Sequence, residues 1–244
     1  YKRQASAMSS AMIPGISGSF AQGDIAGTNR RIGTAIKTTM FLSIPSAVGL
    51  AVLAKPVTLL LYPQKASVDM VSWLLAALSI SVVFYALSTI SNAVLQGIGK
   101  VNLPVVNAAV ALVIQTVVLV PLLLATDLGL FSLVIATVLY SLLMCILNGF
   151  SVRKELKYRQ EIIKTFLLPG WSAVIMGAAA FGVYHGLYLL IHINVICLAA
   201  AILVAVPIYF VLTIKLGAVG RKDLLALPKG ALLVRAAEKC RLIH

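Results

Sequence analysis

Residues 91–125 read "SNAVLQGIGKVNLPVVNAAVALVIQTVVLVPLLLA". Two prolines and several amides, among them Asn107 and Gln115, stand within long apolar runs. A helix rises 1.5 Å per residue, so about 20 apolar residues cross the roughly 30 Å hydrocarbon core of a bilayer. The run that follows Lys100 has that length, which predicts that hydrocarbon rather than water surrounds it.

The composition of the 244-residue chain extends this prediction to the whole molecule. Hydrophobic residues make up 61% of the chain and charged residues 11%, and the mean hydropathy is +1.02. Soluble domains have about 45–50% apolar and about 25% charged residues. A transmembrane barrel would alternate polar and apolar residues over segments of about ten residues, whereas the apolar runs here are continuous. The sequence therefore predicts an all-α fold, a polytopic membrane helical bundle.

Six long apolar segments and one weaker segment organise the chain. The weaker one, residues 4–20, reads as a membrane helix already under way, so we expect the chain to be a fragment that continues an N-terminal part. Residues 1–150 are predicted to form one bundle, 151–164 a charged linker and 216–244 a basic tail. The six long segments are approximately 37–62, 70–96, 101–125, 128–150, 165–191 and 195–215, and the last two form a terminal pair.

Basic residues alternate between successive connections. The connections that follow segments 4–20, 70–96, 128–150 and 195–215 carry three, one, five and seven Lys or Arg when Lys37 and Lys215, at the segment edges, are counted with them, whereas those between them carry one in all. By the positive-inside rule, the basic connections and the C-terminus face the cytoplasm. The net charge of +13 therefore indicates membrane lipids, and not nucleic acid, as partners. The topology-setting residues are Arg30, Arg31, Lys37, Lys100, Arg153, Lys154, Lys157, Arg159 and Lys164.

No arrangement typical of an enzyme or a metal site occurs in the sequence. The three histidines do not pair with an acid or a cysteine at ligand spacing, and the three cysteines lack the spacing of a metal site or a disulfide framework. The sequence thus predicts a protein that is not an enzyme and that uses no metal or cofactor. These residues are His185, His192, His244, Cys145, Cys197 and Cys240.

Polar side chains line up on one face of the helix predicted at 70–96. They step by 4, 3, 4 and 4 residues, a spacing that places them on one helix face. On the next helix, Asn107 and Gln115 are eight residues apart and also share a face. An unpartnered amide in lipid is costly, so these faces meet either a hydrated passage for substrate or neighbouring helices, and both interpretations stay open. The stripe consists of Ser81, Tyr85, Ser88, Asn92 and Gln96.

Lys55 precedes Pro56 within the predicted span 37–62. A lysine at the centre of a membrane span costs about 3 kcal/mol on insertion scales unless it reaches water. Two alternatives stay open: the side chain snorkels to the outer surface, or it is a cation in a cavity that attracts an anionic headgroup. Lys55 therefore joins the predicted passage-lining residues.

Small residues recur at four-residue intervals in "GAAAFGVYHG", residues 177–186. Ala178, Gly182 and Gly186 share this spacing, which allows two membrane helices to approach closely. This face is predicted to dock the terminal pair.

Two stretches resemble the second-lobe helices of the MOP transporter superfamily, in its polysaccharide-exporter branch. One is "ALSTISNAVLQGIGKVNLPVVNAAVALVIQ" (86–115), in which a helix ending in an amide meets a Gly-rich turn with a basic residue and then a proline at the start of the next helix. The other joins "AMIPGISGSFAQGD" (11–24) to "RRIGTAIKTTMFLSIPSAVGLAVLAKPVTLLLYP" (30–63). The likeness is greatest to the stage V sporulation protein B-like flippases, which are related to the MurJ lipid II flippases, and it covers most of residues 8–150.

The resemblance implies an architecture and a function. Such proteins have fourteen membrane helices in two six-helix lobes plus a final pair, and this chain would be helices eight to fourteen, without its N-terminal lobe. They export lipid-linked saccharides or peptidoglycan precursors, carried on undecaprenyl pyrophosphate, across the bacterial inner membrane by alternating access. Their anion-binding arginines lie largely in the first lobe, so none is carried over to this chain.

Two alternatives remain open at this point. A multidrug or cation antiporter of the same superfamily would keep an ionisable residue in a span, and no Asp or Glu here lies in mid-span. A non-transporting membrane scaffold in envelope or spore assembly would act through its basic connections.

Overall fold

Continuous apolar runs form helices because a backbone in hydrocarbon can satisfy its hydrogen bonds only internally. The computed structural model describes residues 14–62 and 68–220. After a helical segment at residues 14–21, the helices are α1 (Ile25–Val52), α2 (Ala54–Leu61), α3 (Val68–Gly97), α4 (Asn102–Ala125), α5 (Leu130–Leu156), α6 (Leu168–Ile191) and α7 (Asn194–Lys215). A π-helical turn, Ile163–Leu167, leads directly into α6.

Six helices in the described part of the chain are long and apolar enough to cross a membrane. Their outer surfaces are apolar as well: on α4, Val113, Val117 and Leu124 are 61%, 65% and 83% exposed. An apolar surface of this extent fits contact with lipid and not with water. The predicted all-α polytopic membrane bundle is therefore confirmed. Residues 4–13 of the weaker predicted segment and 221–244 of the predicted tail lie outside the described residues.

The first long helix begins at Ile25, well before the start near residue 37 that hydropathy predicts. Asp24 explains the early start, because its Oδ1 accepts the Gly27 N–H at 2.8 Å and Asp is a preferred N-cap residue. The helix has 28 residues and is therefore about 42 Å long, more than hydrocarbon requires. Its basic first turns, with Arg30 and Arg31, can extend beyond the apolar layer.

The predicted single span 37–62 is broken at Leu53, where α1 ends and α2 begins. Pro56 has no N–H to donate to the carbonyl four residues earlier, so the helix cannot continue without losing a hydrogen bond. The break places Lys55 in the first turn of α2, where its Nζ lies 2.7 Å from Asp69 Oδ1 in the first turn of α3. The two side chains are 63% and 77% exposed, and an exposed ion pair contributes at most about 1 kcal/mol.

The described chain forms two compact units, and the chain passes from one to the other inside α1, inside α3 and after Glu161. The first unit comprises residues up to 39 together with 81–161, and the second comprises residues 40–80 together with those from 162 onward. The sequence predicts the main boundary at the linker 151–164. The boundary after Glu161 lies within that linker, and residues 40–80 pack with the last two helices. The assignment of residues to a transporter lobe stays a prediction.

In the first unit, the start of α1, the α3–α4 turn and the end of α5 lie together. Gly99 has a left-handed φ of +79°, which lets the chain reverse within a tight turn without the strain of a side chain. The Lys100 Nζ after it lies 3.2 Å from Glu155 Oε2, and Asn29 Nδ2 donates to the Leu156 carbonyl at 3.2 Å. Three of the basic connections thus meet at one end of this unit.

In the second unit, α6 packs closely on the second half of α1. A Cβ added to Gly177 would come within 2.8 Å of a Val48 methyl group, so any other residue there would have to displace that side chain. A Cβ added to Gly182 or Gly186, which were predicted to make the docking contact, would meet no described atom within 4 Å. The small-residue spacing thus indicates a close approach, but the approach lies nearer the start of α6.

A buried tyrosine of α7 provides a hydrogen bond that the backbone of α1 lacks. Pro45 has no N–H, so the carbonyl of Phe41, four residues earlier, loses its usual helical partner. The Tyr209 hydroxyl donates to that carbonyl at 2.9 Å. In hydrocarbon no water could replace this bond, so Tyr209 makes the proline tolerable within a membrane helix.

Candidate functional site

A connected network of amides and hydroxyls, the Asn148 network, lies in the first unit between α3, α4 and α5. Its centre is Asn148, which is 0% exposed. Asn148 Nδ2 donates to Ser88 Oγ at 3.2 Å and to Asn92 Oδ1 at 2.7 Å. Asn107 Nδ2 donates to Asn148 Oδ1 at 2.9 Å and to Ser151 Oγ at 3.0 Å. Three helices are therefore joined by side chains that carry no charge.

The network gives these amide groups the hydrogen-bond partners that lipid could not provide. Both the amide nitrogen and the oxygen of Asn148 are engaged, which fixes the orientation of its side chain. A hydrogen bond between membrane helices contributes about 0.6 kcal/mol, so the four bonds together contribute about 2 kcal/mol. The network therefore stabilises the packing of α3, α4 and α5 around it.

A pocket of about 360 Å³ opens beside the network. This volume lies within the range of small-molecule sites, roughly 300–1,000 Å³. Ser88 and Asn92 belong to both the network and the pocket. The lining is largely apolar, with a few polar side chains and no charged one: it consists of Tyr85, Ser88, Thr89 and Asn92 from α3, Pro104, Val105 and Ala108 from α4, and Tyr140 and Met144 from α5.

The predicted stripe on α3 divides into parts with different surroundings. Ser88 and Asn92 join the network, and Tyr85 lines the pocket without bonding to Asn148. Ser81 is half-buried and Gln96 is exposed at the end of the helix, and neither lines the pocket. The five residues share one face of α3, but only Ser88 and Asn92 bond to polar side chains of the Asn148 network.

The other predicted passage-lining residues also differ in their surroundings. Asn107 is a member of the network, whereas Gln115 is half-buried and makes no hydrogen bond among the described residues. Lys55 is not among the residues that line the pocket, and its ammonium group pairs with Asp69. A role of these residues in a passage stays a prediction.

Asn148 is the central residue that sequence reasoning misses. The predicted helix ends at residue 150, which places Asn148 in its last turn. A polar side chain is unremarkable there, because the last backbone carbonyls of a helix have no partner within the helix. The structure continues α5 to Leu156, which puts Asn148 well inside it. The available signal was the spacing of Ser141, Asn148 and Ser151, which share one face of an otherwise apolar helix.

Most charged side chains of the first unit lie near helix ends, but Lys37, predicted in a connection, is half-buried in the middle of α1. Within residues 14–62 and 68–220, no three His, Cys, Asp or Glu side chains come together as a metal site would require. The topology-setting residues are distributed as follows: Arg30, Arg31 and Lys37 on α1, Lys100 in the α3–α4 turn, Arg153 and Lys154 in the last turn of α5, Lys157 and Arg159 in the next connection, and Lys164 in the π-helical turn.

Tyr158 lies in the connection after α5 and packs near the start of α1. Its hydroxyl donates to Gln160 Oε1 at 2.9 Å and would lie 3.3 Å from a Cβ on Gly33. Burial, and then the negative charge of Glu161, raise the pKa of Tyr158 to about 12. The connection is therefore partly buried, although its neighbours Lys157 and Arg159 are exposed.

Comparison with known proteins gives two matches that include the network and the pocket. A family model described as lipid II flippase MurJ matches residues 5–214. The curated lipid II flippase MurJ of Bacillus subtilis (strain 168) is 31% identical over 187 residues, which cover 72% of this chain and 32% of that protein. The chain thus spans about a third of the length of this curated relative.

Proposed function

We propose, from the premise that this chain belongs to the MurJ family of lipid II flippases, that it forms part of a transporter which moves a lipid-linked cell-wall precursor across the bacterial inner membrane. The six apolar helices within residues 14–62 and 68–220, together with the family, make it a multi-pass protein of that membrane. The family assignment confirms the predicted relationship to MurJ-related flippases. Because the chain spans about a third of its relative, the proposal concerns a whole protein of which this chain supplies one part.

The observation that carries the proposal is a neutral polar network beside a pocket, within helices that are otherwise apolar. A saccharide headgroup that leaves water needs hydrogen-bonding groups to replace it. Ser88 and Asn92 offer such groups at the pocket. In the proposed mechanism the second lobe, to which this unit belongs, and an N-terminal lobe rock about a central passage, as in other transporters with alternating access.

The positions of the acidic residues favour this proposal over a cation antiporter. A coupled carrier commonly keeps an ionisable residue within a span. Asp69 and Glu155 lie near the ends of their helices and pair with Lys55 and Lys100, and no carboxylate lines the pocket. The proposed cargo is therefore a lipid-linked saccharide on undecaprenyl pyrophosphate.

We propose that the basic connections and the C-terminus face the cytoplasm. The positive-inside rule supports this orientation. So does the meeting of three basic connections at one end of the first unit, through the Lys100–Glu155 ion pair and the Asn29–Leu156 hydrogen bond.

Transport by the full-length protein that contains this chain tests the proposal. In proteoliposomes, the unaltered protein is expected to translocate a fluorescent lipid-linked precursor, and Asn92→Leu is expected to reduce the rate about tenfold by removing one hydrogen-bonding group. Thr116→Leu is the matched control, because Thr116 is exposed on α4 and bonds only within its own helix.

Two results would contradict the proposal in different ways. Normal transport by Asn92→Leu at normal abundance would remove the network from the transport path. Absence of transport by the unaltered protein, together with loss of envelope assembly when Arg153, Lys154 and Arg159 are neutralised, would favour the scaffold alternative.

A further inference from the structure

We propose that the pocket beside the Asn148 network binds the uncharged sugar part of the lipid-linked cargo and not its pyrophosphate, an inference that rests on the proposed function. The cargo has three chemically distinct parts: an apolar lipid, an anionic pyrophosphate and a hydroxyl-rich sugar. The lining residues discriminate among them by charge, by hydrogen-bonding groups and by aromatic surface.

The charge of the lining excludes the pyrophosphate. A phosphate group out of water requires cations or several strong donors, since an unpaired buried charge is far more costly than a neutral polar group. No Lys, Arg or His lines the pocket. Lys100, in the turn that precedes α4, is already paired with Glu155 at 3.2 Å.

One lining residue carries an unused hydrogen-bond donor. Asn92 accepts from Asn148 through its Oδ1 at 2.7 Å, and its Nδ2 donates to no described residue. An amide donor without a partner in an apolar bundle is unfavourable, and it can bind the carbonyl of an N-acetyl group or a sugar hydroxyl. Asn148, whose own bonds fix the orientation of Asn92, is then the positioning residue of this site.

The rest of the lining fits a sugar ring and not a lipid tail. Two tyrosines, Tyr85 and Tyr140, offer both an aromatic face and a hydroxyl, the combination suited to a surface that is partly apolar and partly wet. Ser88 and Thr89 add hydroxyls on α3. A few placed polar groups in a largely apolar pocket of this volume are typical of small neutral ligands.

Binding of two lipids that differ only in the sugar tests the inference. The full-length protein in lipid nanodiscs is titrated with a polyprenyl pyrophosphate that carries an N-acetylhexosamine disaccharide, and with the same polyprenyl pyrophosphate without sugar. Native mass spectrometry gives the two dissociation constants. The unaltered protein is expected to prefer the sugar-bearing lipid, and Asn92→Leu to lower that preference about tenfold, the effect of one lost hydrogen bond, without changing the binding of the bare lipid.

A second variant leaves the network intact. Val105→Trp would narrow the pocket from α4, where Val105 is 66% exposed and makes no network hydrogen bond, and it is expected to lower the same preference. Val113→Trp, at a position on that helix that is 61% exposed and does not line the pocket, is the control and is expected to keep the preference.

The outcomes separate this inference from the proposed function. Equal weakening of both lipids, or an unchanged preference in Asn92→Leu and Val105→Trp, would overturn the sugar assignment while leaving transport in place. If the unaltered protein bound neither lipid, the proposed function would fall and the sugar assignment with it.

Discussion

The side-chain amide of Asn148 joins three membrane helices through hydrogen bonds. It bonds to Ser88, Asn92 and Asn107, so Asn148→Leu removes three interhelical hydrogen bonds and takes the described partner away from the half-buried Asn92 amide. At about 0.6 kcal/mol per bond, we expect the variant to lose about 2 kcal/mol of unfolding free energy, measured by titration with denaturing detergent. Gln115→Leu, which breaks no hydrogen bond among the described residues, is expected to unfold like the unaltered chain; equal loss in both variants would contradict the network's role.

Tyr158 gives a second prediction, for stability at alkaline pH. Its pKa is about 12 in the folded protein, above the value of about 10 for an unfolded tyrosine. The contribution of the neutral hydroxyl is therefore fully present below pH 10 and is lost as the pH rises through about 12. Difference absorbance of tyrosinate between the unaltered protein and Tyr158→Phe is expected to show this late titration, and the variant is expected to lack the corresponding fall in stability. A difference titration centred near pH 10 would contradict the burial of Tyr158.

Residue spacing predicts which side chains share a helix face, but not which partners they meet. The stripe on α3 is such a face, and its members Ser88 and Asn92 meet α5 through Asn148. The partner could not be predicted because it comes from a residue 60 positions away in the case of Ser88, and helix-face spacing contains no information about packing between helices. Lys55 illustrates the same limit, because its pairing with Asp69 depends on the break at Leu53.

At the scale of helices, the tolerance of α1 for Pro45 depends on a side chain from α7. Tyr209→Phe removes the only side-chain donor that the described residues offer to the Phe41 carbonyl, and we expect it to cost about 1 kcal/mol, within the range for interhelical hydrogen bonds in membranes. In a Pro45→Ala background, the backbone N–H restored at position 45 can bond to that carbonyl, so Tyr209→Phe should cost much less. A double-mutant cycle on unfolding free energy measures this coupling, and additive effects would contradict it.

The close approach of α6 to α1 makes a separate prediction about two glycines. Gly177→Ala forces a methyl group into Val48 and is expected to destabilise the second unit by about 1–3 kcal/mol, the usual effect of overpacking. Gly182→Ala on the same helix meets open space and is expected to be neutral or slightly stabilising, since alanine favours a helix. Thermal unfolding of the two variants in detergent compares them, and partial rescue of Gly177→Ala by Val48→Ala identifies the clash.

The six membrane spans and their helical structure could be predicted from the sequence, whereas the break at Leu53 and several helix ends could not. Continuous apolar runs identify the six spans because hydrocarbon leaves the backbone no alternative to the helix. Hydropathy does not locate ends that polar contacts decide, such as the start of α1 at the Asp24 cap or the extension of α5 to Leu156 beyond its last apolar turn. Such ends depend on individual hydrogen bonds that an average over many residues does not detect.

For the whole molecule, the distribution of charge and the order of the spans together predict which connections face the cytoplasm. Successive spans must place alternate connections on opposite sides of the membrane, and Lys and Arg accumulate in every second connection. The positive-inside rule then assigns the connection around Arg159 to the cytoplasm and the one around Asp127 to the outside. The two connections are the two ends of a single helix, α5, so their accessibilities must be opposite.

Labelling of single cysteines in intact cells measures this directly. In a background with Cys145, Cys197 and Cys240 replaced by alanine, Asp127→Cys in the full-length protein is expected to react with a membrane-impermeant maleimide, and Arg159→Cys only after the cells are permeabilised. Arg159 is suited to this test because it is exposed, and its replacement leaves four of the five basic residues of its connection. The opposite pattern would reverse the proposed orientation. Labelling of both positions in intact cells would mean that α5 does not cross the bilayer, and the transport proposal would lose its structural basis.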